Sequence, residues 1–295
     1  MTTKKLFIFI NPEFHRRFCN GLNLIYRILH IENGYNLEFI TKEYLKEPVN
    51  EENISRKLVI IGGDGTVHIV INTIPQDSLD KYVFGIIPAG TANEFAKSLS
   101  IPIDIEEATR IIAKPKMLQT EHLGVINNEI LFATGVMFGV ASKVLQLTPR
   151  IAKHFLGRAA FQLGFLRFFT EYLSPWKGWI KNFKVNSRAF RTNYLLINNA
   201  SLISKGIASF KENEPDLFLI YIHSRLRLPD IIRILLKHHM HYKVLYDPAL
   251  YFEQLKEIFL EFDEEMGFLI DGDPYKLAPP ISIKIADQQI RIITG

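Results

Sequence analysis

The chain predicts an α/β protein in two parts: a doubly wound parallel-sheet domain at the amino terminus, then a mainly antiparallel β-sandwich or barrel-like domain. Three observations carry this. Residues 6–10, 58–61 and 83–87 are short apolar runs rich in β-branched side chains and without polar alternation, as in strands covered on both faces. The last two runs each end in a glycine-centred turn followed by a helical pattern. Beyond Lys116 the apolar runs instead alternate or crowd together at hairpin spacing.

Taken in order, residues 6–10 stop at Asn11-Pro12, where proline cannot continue a sheet ladder. Residues 18–30 place Leu22, Ile25, Ile28 and Leu29 at helical spacing, and a second strand over 37–40 ends at Thr41. With the strands at 58–61 and 83–87 and the helices after them, the order is β-α-β-α-β-α-β-α, the pattern of a parallel sheet. Helices over 93–99 and 105–113 close this part, the second capped by Asp104. Lys114-Pro115-Lys116 marks the boundary, which gives domains of residues 1–117 and 118–295, the final strand being a candidate to pack back toward the first. The second domain is expected to hold strands at 118–125, 130–134, 179–185, 194–197, 217–222, 259–262, 268–270, 281–285 and 290–293.

Composition bounds the function. With 295 residues, 47% apolar and 22% charged, the chain can build two ordinary globular cores. The single cysteine, Cys19, excludes a disulfide framework and favours a reducing compartment. Only five apolar residues precede Asn11, too few for a signal segment, and no apolar run has membrane-spanning length, so a cytoplasmic location is expected. A net charge of +4 is too small to argue a nucleic-acid partner. It is compatible with transient association with an anionic membrane surface, at the inner face of the membrane; a homodimer is left open, since the residues do not give the oligomeric state.

The chemistry concentrates in the two turns. The first reads Gly62-Gly63-Asp64-Gly65-Thr66, and the second Pro88-Ala89-Gly90-Thr91-Ala92-Asn93-Glu94. Both fall at the carboxyl edge of a parallel sheet, where open α/β folds bind ligands and glycines let backbone N–H groups approach phosphate oxygens. The common phosphate motifs do not occur: there is no Gly-x-x-x-x-Gly-Lys-[Ser/Thr], and His68 stands where a dinucleotide fingerprint has glycine. Asp64 reads as a carboxylate that holds a Mg²⁺ bridging phosphates, as one that orders the loop doing so, or as a cap on its own turn. Thr66 opens a helix, where its hydroxyl can cap N–H groups or bond a phosphate. A second pair of acids, Asp271 and Asp273, flanks Gly272 at the end of an apolar strand, and both share a face if the strand continues.

Gly-Gly-Asp-Gly-Thr followed by Pro-x-Gly-Thr-x-Asn resembles the catalytic domain of the diacylglycerol kinase family, the group of bacterial soluble diacylglycerol kinases, YegS-like lipid kinases and sphingosine kinases. The resemblance implies an ATP-dependent lipid kinase that uses Mg²⁺ and transfers the γ-phosphoryl group to a lipid hydroxyl. It implies nucleotide contacts at Asn11, Thr41, Gly62, Gly63, Asp64, Gly65, Thr66, His68, Gly90, Thr91, Asn93 and Glu94. It implies a general base at Asp271 or Asp273, in the place of the family's Asp-Gly-Glu, with Asp64 serving the phosphates. It further implies a structural Mg²⁺ at Asp216 with carbonyls of Asn213 and Phe218, where the family carries Asp-Gly-x-Leu. The chain departs from the family at Glu13-Phe14-His15, where a small glycine-containing loop is usual, at His68-Ile69 in place of Asn-Glu, and at Glu94 in place of Asp.

Other readings stay open. NAD kinases also carry Gly-Gly-Asp-Gly-Thr, so a soluble acceptor is one alternative. A non-catalytic lipid-binding module on a degenerate kinase scaffold is another, motivated by the altered first loop. The Phe-rich residues 151–173 read either as a helix against a membrane or acyl pocket or as a helix buried under the β-domain. The basic residues 225–243, with His238, His239 and His241, read best as a solvated face.

Overall fold

The computed structural model describes residues 4–11, 19–49, 55–139, 181–192, 194–199, 216–222 and 250–295. The Phe-rich and basic segments, the first loop beyond Asn11, and Asn213 lie outside the described residues. The chain divides into two compact units, Met1–Leu123 with Ala286–Gly295, and Gly124–Ile285.

In the first unit β1 (Lys4–Ile10), β2 (Tyr35–Ile40), β3 (Arg56–Gly62) and β4 (Tyr82–Pro88) pair in parallel, in the order β2-β1-β3-β4. The carboxyl-terminal part of a long final strand, β16 (Ile281–Thr294), adds in parallel beside β4. Both faces are covered. Leu6, Ile8, Val59 and Ile61 share one core with Ile25, Ile28, Leu29 and Ile112, while the alternate residues Phe7, Phe9, Leu58 and Ile60 are equally buried. This is the unalternated burial that the apolar runs predict.

Among the described residues, five α-helices, one π-helical turn and one 3₁₀ turn accompany these strands. Helix α1 (Cys19–Tyr26) continues into a π-helical turn, Arg27–Glu32, so the predicted helix over 18–30 is broken into two geometries. Helix α2 (Lys42–Leu45) follows β2, α3 (Asp64–Thr73) follows β3, and a 3₁₀ turn, Gln76–Lys81, leads into β4. Helix α4 (Glu94–Ser98) follows β4, and α5 (Ile105–Ala113) is capped by Asp104, whose Oδ1 accepts from the Glu107 amide at 3.0 Å.

The second unit is a sandwich. One antiparallel sheet runs β12 (Leu250–Leu255), β11 (Leu217–Ile222), β10 (Tyr194–Asn199), β7 (Gly135–Gly139), β14 (Met266–Ile270) and β15 (Asp273–Leu277). Against it lie β13 (Glu257–Phe262), β8 (Lys181–Val185), β9 (Arg188–Thr192) and the first part of β16. Phe138, Leu195, Ile197 and Phe268 of one sheet share a core with Phe183, Ile258, Leu260 and Ile283 of the other.

Two expectations need correcting. The boundary expected at 117/118 falls inside β5 (Met117–Ile126), whose amino-terminal part lies in the first unit and whose last residues pair with β6 (Ile130–Phe132) in the second. The strands expected at 281–285 and 290–293 are one continuous strand, because the intervening Ala286 is buried and the polar Asp287 and Gln289 fall on alternate, exposed positions.

Candidate active site

Four parallel strands end at one edge of the first sheet. The registers Phe9↔Ile40, Ile10↔Ile61 and Gly62↔Pro88 bring Asn11, Thr41, the Gly63–Thr66 stretch and the 89–93 loop to that same edge. The order β2-β1-β3-β4 reverses between β1 and β3, so the edge has its topological switch point beside the first glycine turn.

The two turns touch through their backbones. A Cβ placed on Gly90 would lie 2.5 Å from the Gly63 Cα and 2.7 Å from Asn93 Oδ1, and one on Gly63 would lie 2.9 Å from the Gly90 Cα. Only glycine fits at either position. The Ala89 amide donates to the Gly62 carbonyl at 2.9 Å, which extends the β3–β4 ladder into the turns. Gly65 lies in the first turn of α3, and Thr66 is buried with its side chain against Gly62.

Asp64 fastens the turns together. Its Oδ1 accepts from the Phe95 amide at 2.9 Å and its Oδ2 from the Glu94 amide at 3.1 Å, so it caps α4 of the other turn instead of its own. A carboxylate at these amides also complements the partial positive charge of a helix start. Asn93, 4% exposed and left-handed at φ 52°, closes the second turn on itself. Its Oδ1 accepts from the Gly90 amide and its Nδ2 donates to the Gly90 carbonyl, both at 2.9 Å. Thr91 and Glu94 are exposed, and Glu94 pairs with Lys97 at 2.8 Å.

Thr41 and His68 take different places from the rest. Thr41 is the exposed cap of α2, accepting from the Tyr44 amide at 3.4 Å. His68 is only 3% exposed, with its Nδ1 3.4 Å from Asn72 Nδ2, so burial in α3 keeps its ring away from solvent at the turn. Glu121, a buried acid beside Gln119 on β5, has no counterpart in the sequence reading, because nothing in a lone Glu within a strand marks it as buried.

In the second unit the strand before Asp271 does not continue. Asp271 and Gly272, at φ 49° and 90°, form the two-residue turn of the β14–β15 hairpin, and Asp273 pairs with Ile270 as the first residue of β15. The expectation that both acids share a strand face fails on that left-handed turn. Asp271 is 6% exposed and its carboxylate is committed: Oδ1 accepts from the Thr134 amide (2.7 Å), the Thr134 hydroxyl (2.6 Å) and the Gly135 amide (3.1 Å), and Oδ2 from the Ala133 amide (2.8 Å). Asp273 is half-buried at the mouth of the hairpin. Tyr275 lies two residues further along β15, and burial, followed by the negative charge of Asp273 and of Asp271, pushes its phenol above the usual value. A hairpin read only as an acid pair gives no hint of this tyrosine.

Asp216, just before β11, is 8% exposed. Its Oδ2 accepts from Gln254 Nε2, and its Oδ1 is buried without a hydrogen-bond partner. Such an oxygen suits a hard cation, and Phe218, the second expected ligand, lies two residues on, in register with Gln254. Among the described residues no cluster of three or more His, Cys, Asp or Glu side chains gathers to hold a metal.

Residues 5–124 match the model of the Diacylglycerol kinase catalytic domain. The resemblance read from the two glycine turns is to that family. The chain is 27% identical over 286 residues to a diacylglycerol kinase of Staphylococcus aureus, an alignment covering 90% of this chain and 87% of that one. It is 33% identical over 101 residues to a YegS-like probable lipid kinase of Yersinia enterocolitica, 34% of each chain. The crystal structure of a diacylglycerol kinase from Bacillus anthracis has the same fold, with a TM-score of 0.62 at 17% identity, covering 100% of this chain and 98% of that one. A second solved chain from that organism reaches 0.72 at 18% identity. At the level of class the protein is diacylglycerol-kinase-like. Among the described residues no helix is long and apolar enough to cross a membrane.

Proposed function

We propose that the protein is an ATP-dependent lipid kinase that transfers the γ-phosphoryl group of ATP to the hydroxyl of a diacylglycerol-like lipid. The observation that carries this reading is the backbone contact of Gly63 and Gly90 at the switch-point edge of the sheet, fastened by Asp64. Two turns without side chains at their contact, followed by the start of α3, let a polyphosphate approach the backbone closely.

In this mechanism the chain mainly positions. Phosphoryl transfer rests on holding nucleotide and acceptor in line and on electrostatics, with proton removal a smaller contribution. Asp64 orders the two turns, and Gly63, Gly65, Gly90 and Thr91 approach the phosphates through backbone or hydroxyl. Mg²⁺ bound with the nucleotide would neutralise charge on the phosphates. A second Mg²⁺, with a structural role, would be held by Asp216 and nearby carbonyls. Because the Asp271 carboxylate already accepts four hydrogen bonds, we assign the general base to Asp273, which takes the proton of the lipid hydroxyl as that oxygen bonds the γ-phosphorus and the bond from the γ-phosphorus to the bridging oxygen breaks, releasing ADP.

The test is transfer of labelled γ-phosphate from Mg-ATP to micellar diacylglycerol, phosphatidylglycerol, ceramide and a sphingoid base, with NAD in a parallel reaction. Label in a lipid is the expected result, and Gly90→Ala, which overpacks the turn contact by about 1–3 kcal/mol, should reduce it at least tenfold. Label in NAD alone would overturn the lipid assignment, and no label anywhere would favour a non-catalytic scaffold.

A further inference from the structure

Asp216 is held on one side only. The β11–β12 ladder pairs Phe218 with Gln254 and Leu217 with Leu255, so Asp216 stands just beyond the last paired residue, diagonally across from Gln254. The Gln254 amide donates to Oδ2, while Oδ1, in a residue 8% exposed, bonds nothing. Leaving a buried carboxylate oxygen without a donor is costly, and the second oxygen's satisfied state makes the asymmetry specific. Gln254 itself is exposed, so an ion can reach the pair from solvent.

We infer that Gln254 is a positioning residue for a hard divalent cation at Asp216: by donating to Oδ2 it fixes the carboxylate and leaves Oδ1 to bind the ion. This rests on the reading of Asp216 as a cation ligand given above. Glutamine suits the task because it donates without adding charge. A carboxylate in its place would instead present a second hard acceptor beside the first. Groups that orient a ligating carboxylate change metal affinity by about 10–100-fold when removed, although they never touch the ion. The rival partner for Oδ1 is an ammonium, since the ladder extended by one position sets the exposed Lys256 opposite Asp216.

The experiment uses the full chain without nucleotide. Thermal unfolding is followed in chelator and across Mg²⁺ and Ca²⁺ titrations, with hydrogen exchange read on residues 216–222 and 250–255. The wild type should be stabilised by the cation and slow its exchange in those two segments. Gln254→Leu should raise the half-saturating cation concentration by about tenfold or more. Gln254→Glu should melt lower than wild type in chelator yet bind the cation more tightly, an inversion that a merely packing role cannot produce. Absence of cation stabilisation in the wild type would overturn both this inference and the reading it rests on. Equal half-saturation in wild type and Gln254→Leu would leave Asp216 as a ligand and overturn the role of Gln254. If Lys256→Met in chelator costs as much stability as Asp216→Asn, the lysine is the partner and the inference falls.

Discussion

Asp64 and Asp271 do related jobs in different units, and the difference between them separates binding chemistry from scaffolding. Each carboxylate accepts from backbone amides remote in sequence, Asp64 from Glu94 and Phe95, Asp271 from Ala133, Thr134 and Gly135. Asp64 makes two such bonds at a half-exposed sheet edge. Asp271 makes four bonds while buried, so both of its oxygens are committed to holding the hairpin turn, and the proposed base is its neighbour Asp273. An aspartate beside a glycine is thus not by that fact a chemical group. What its oxygens already hold decides it.

The comparison can be broken most forcefully at Asp271. Asp271→Ala strands three amides and a hydroxyl and replaces a residue type that tolerates the left-handed region with one that does so less well, and should cost about 4 kcal/mol of stability in denaturant unfolding. A loss under about 1 kcal/mol would mean the brace is not a brace. Next comes Asp273→Asn, expected to lower phosphoryl transfer about 100-fold with the unfolding midpoint unchanged. Near-normal turnover in that variant would return the general-base role to open competition. Asp64→Ala should cost only about 1 kcal/mol, the worth of a helix cap, while cutting transfer at least tenfold, which calorimetry and the labelled-ATP assay would read side by side. The smallest effect is a pH dependence. Because the folded Tyr275 phenol lies above its unfolded value, its contribution to stability is fully present below about pH 10 and is lost as pH rises through the folded value. Tyr275→Phe should therefore flatten the alkaline loss of stability, and an unchanged slope would argue that neither burial nor the acids raise this phenol.

Much of this was legible in the residues. Unalternated runs such as 58–61 and 83–87 announce strands buried on both sides because no polar side chain could be tolerated there, and Asp104 announces its helix through local capping alone. The edge position of both glycine turns follows from the same logic. The pairing of Asp64 with the other turn, 30 residues away, does not, since no local pattern encodes which amides a carboxylate will meet. Asp271-Gly272 suits a hairpin turn, for both residue types favour positive φ, and the two acids could share a face only if the strand continued, which it does not. The burial of His68 is not legible either: a motif position fixes neighbours along the chain, whereas burial depends on which face of α3 meets the sheet.

The long strand β16 pairs with β13 through its residues 281–284 and with β4 through Arg291 and Ile292. Two cores therefore await one segment that the ribosome makes more than 150 residues after residue 123. The first unit cannot complete its sheet while it is being synthesised, although most of its sequence has emerged by residue 123. A fragment ending there would carry both glycine turns and still lack the strand that pairs with β4 just before the second of them, so the first unit completes its sheet only with residues far along the chain.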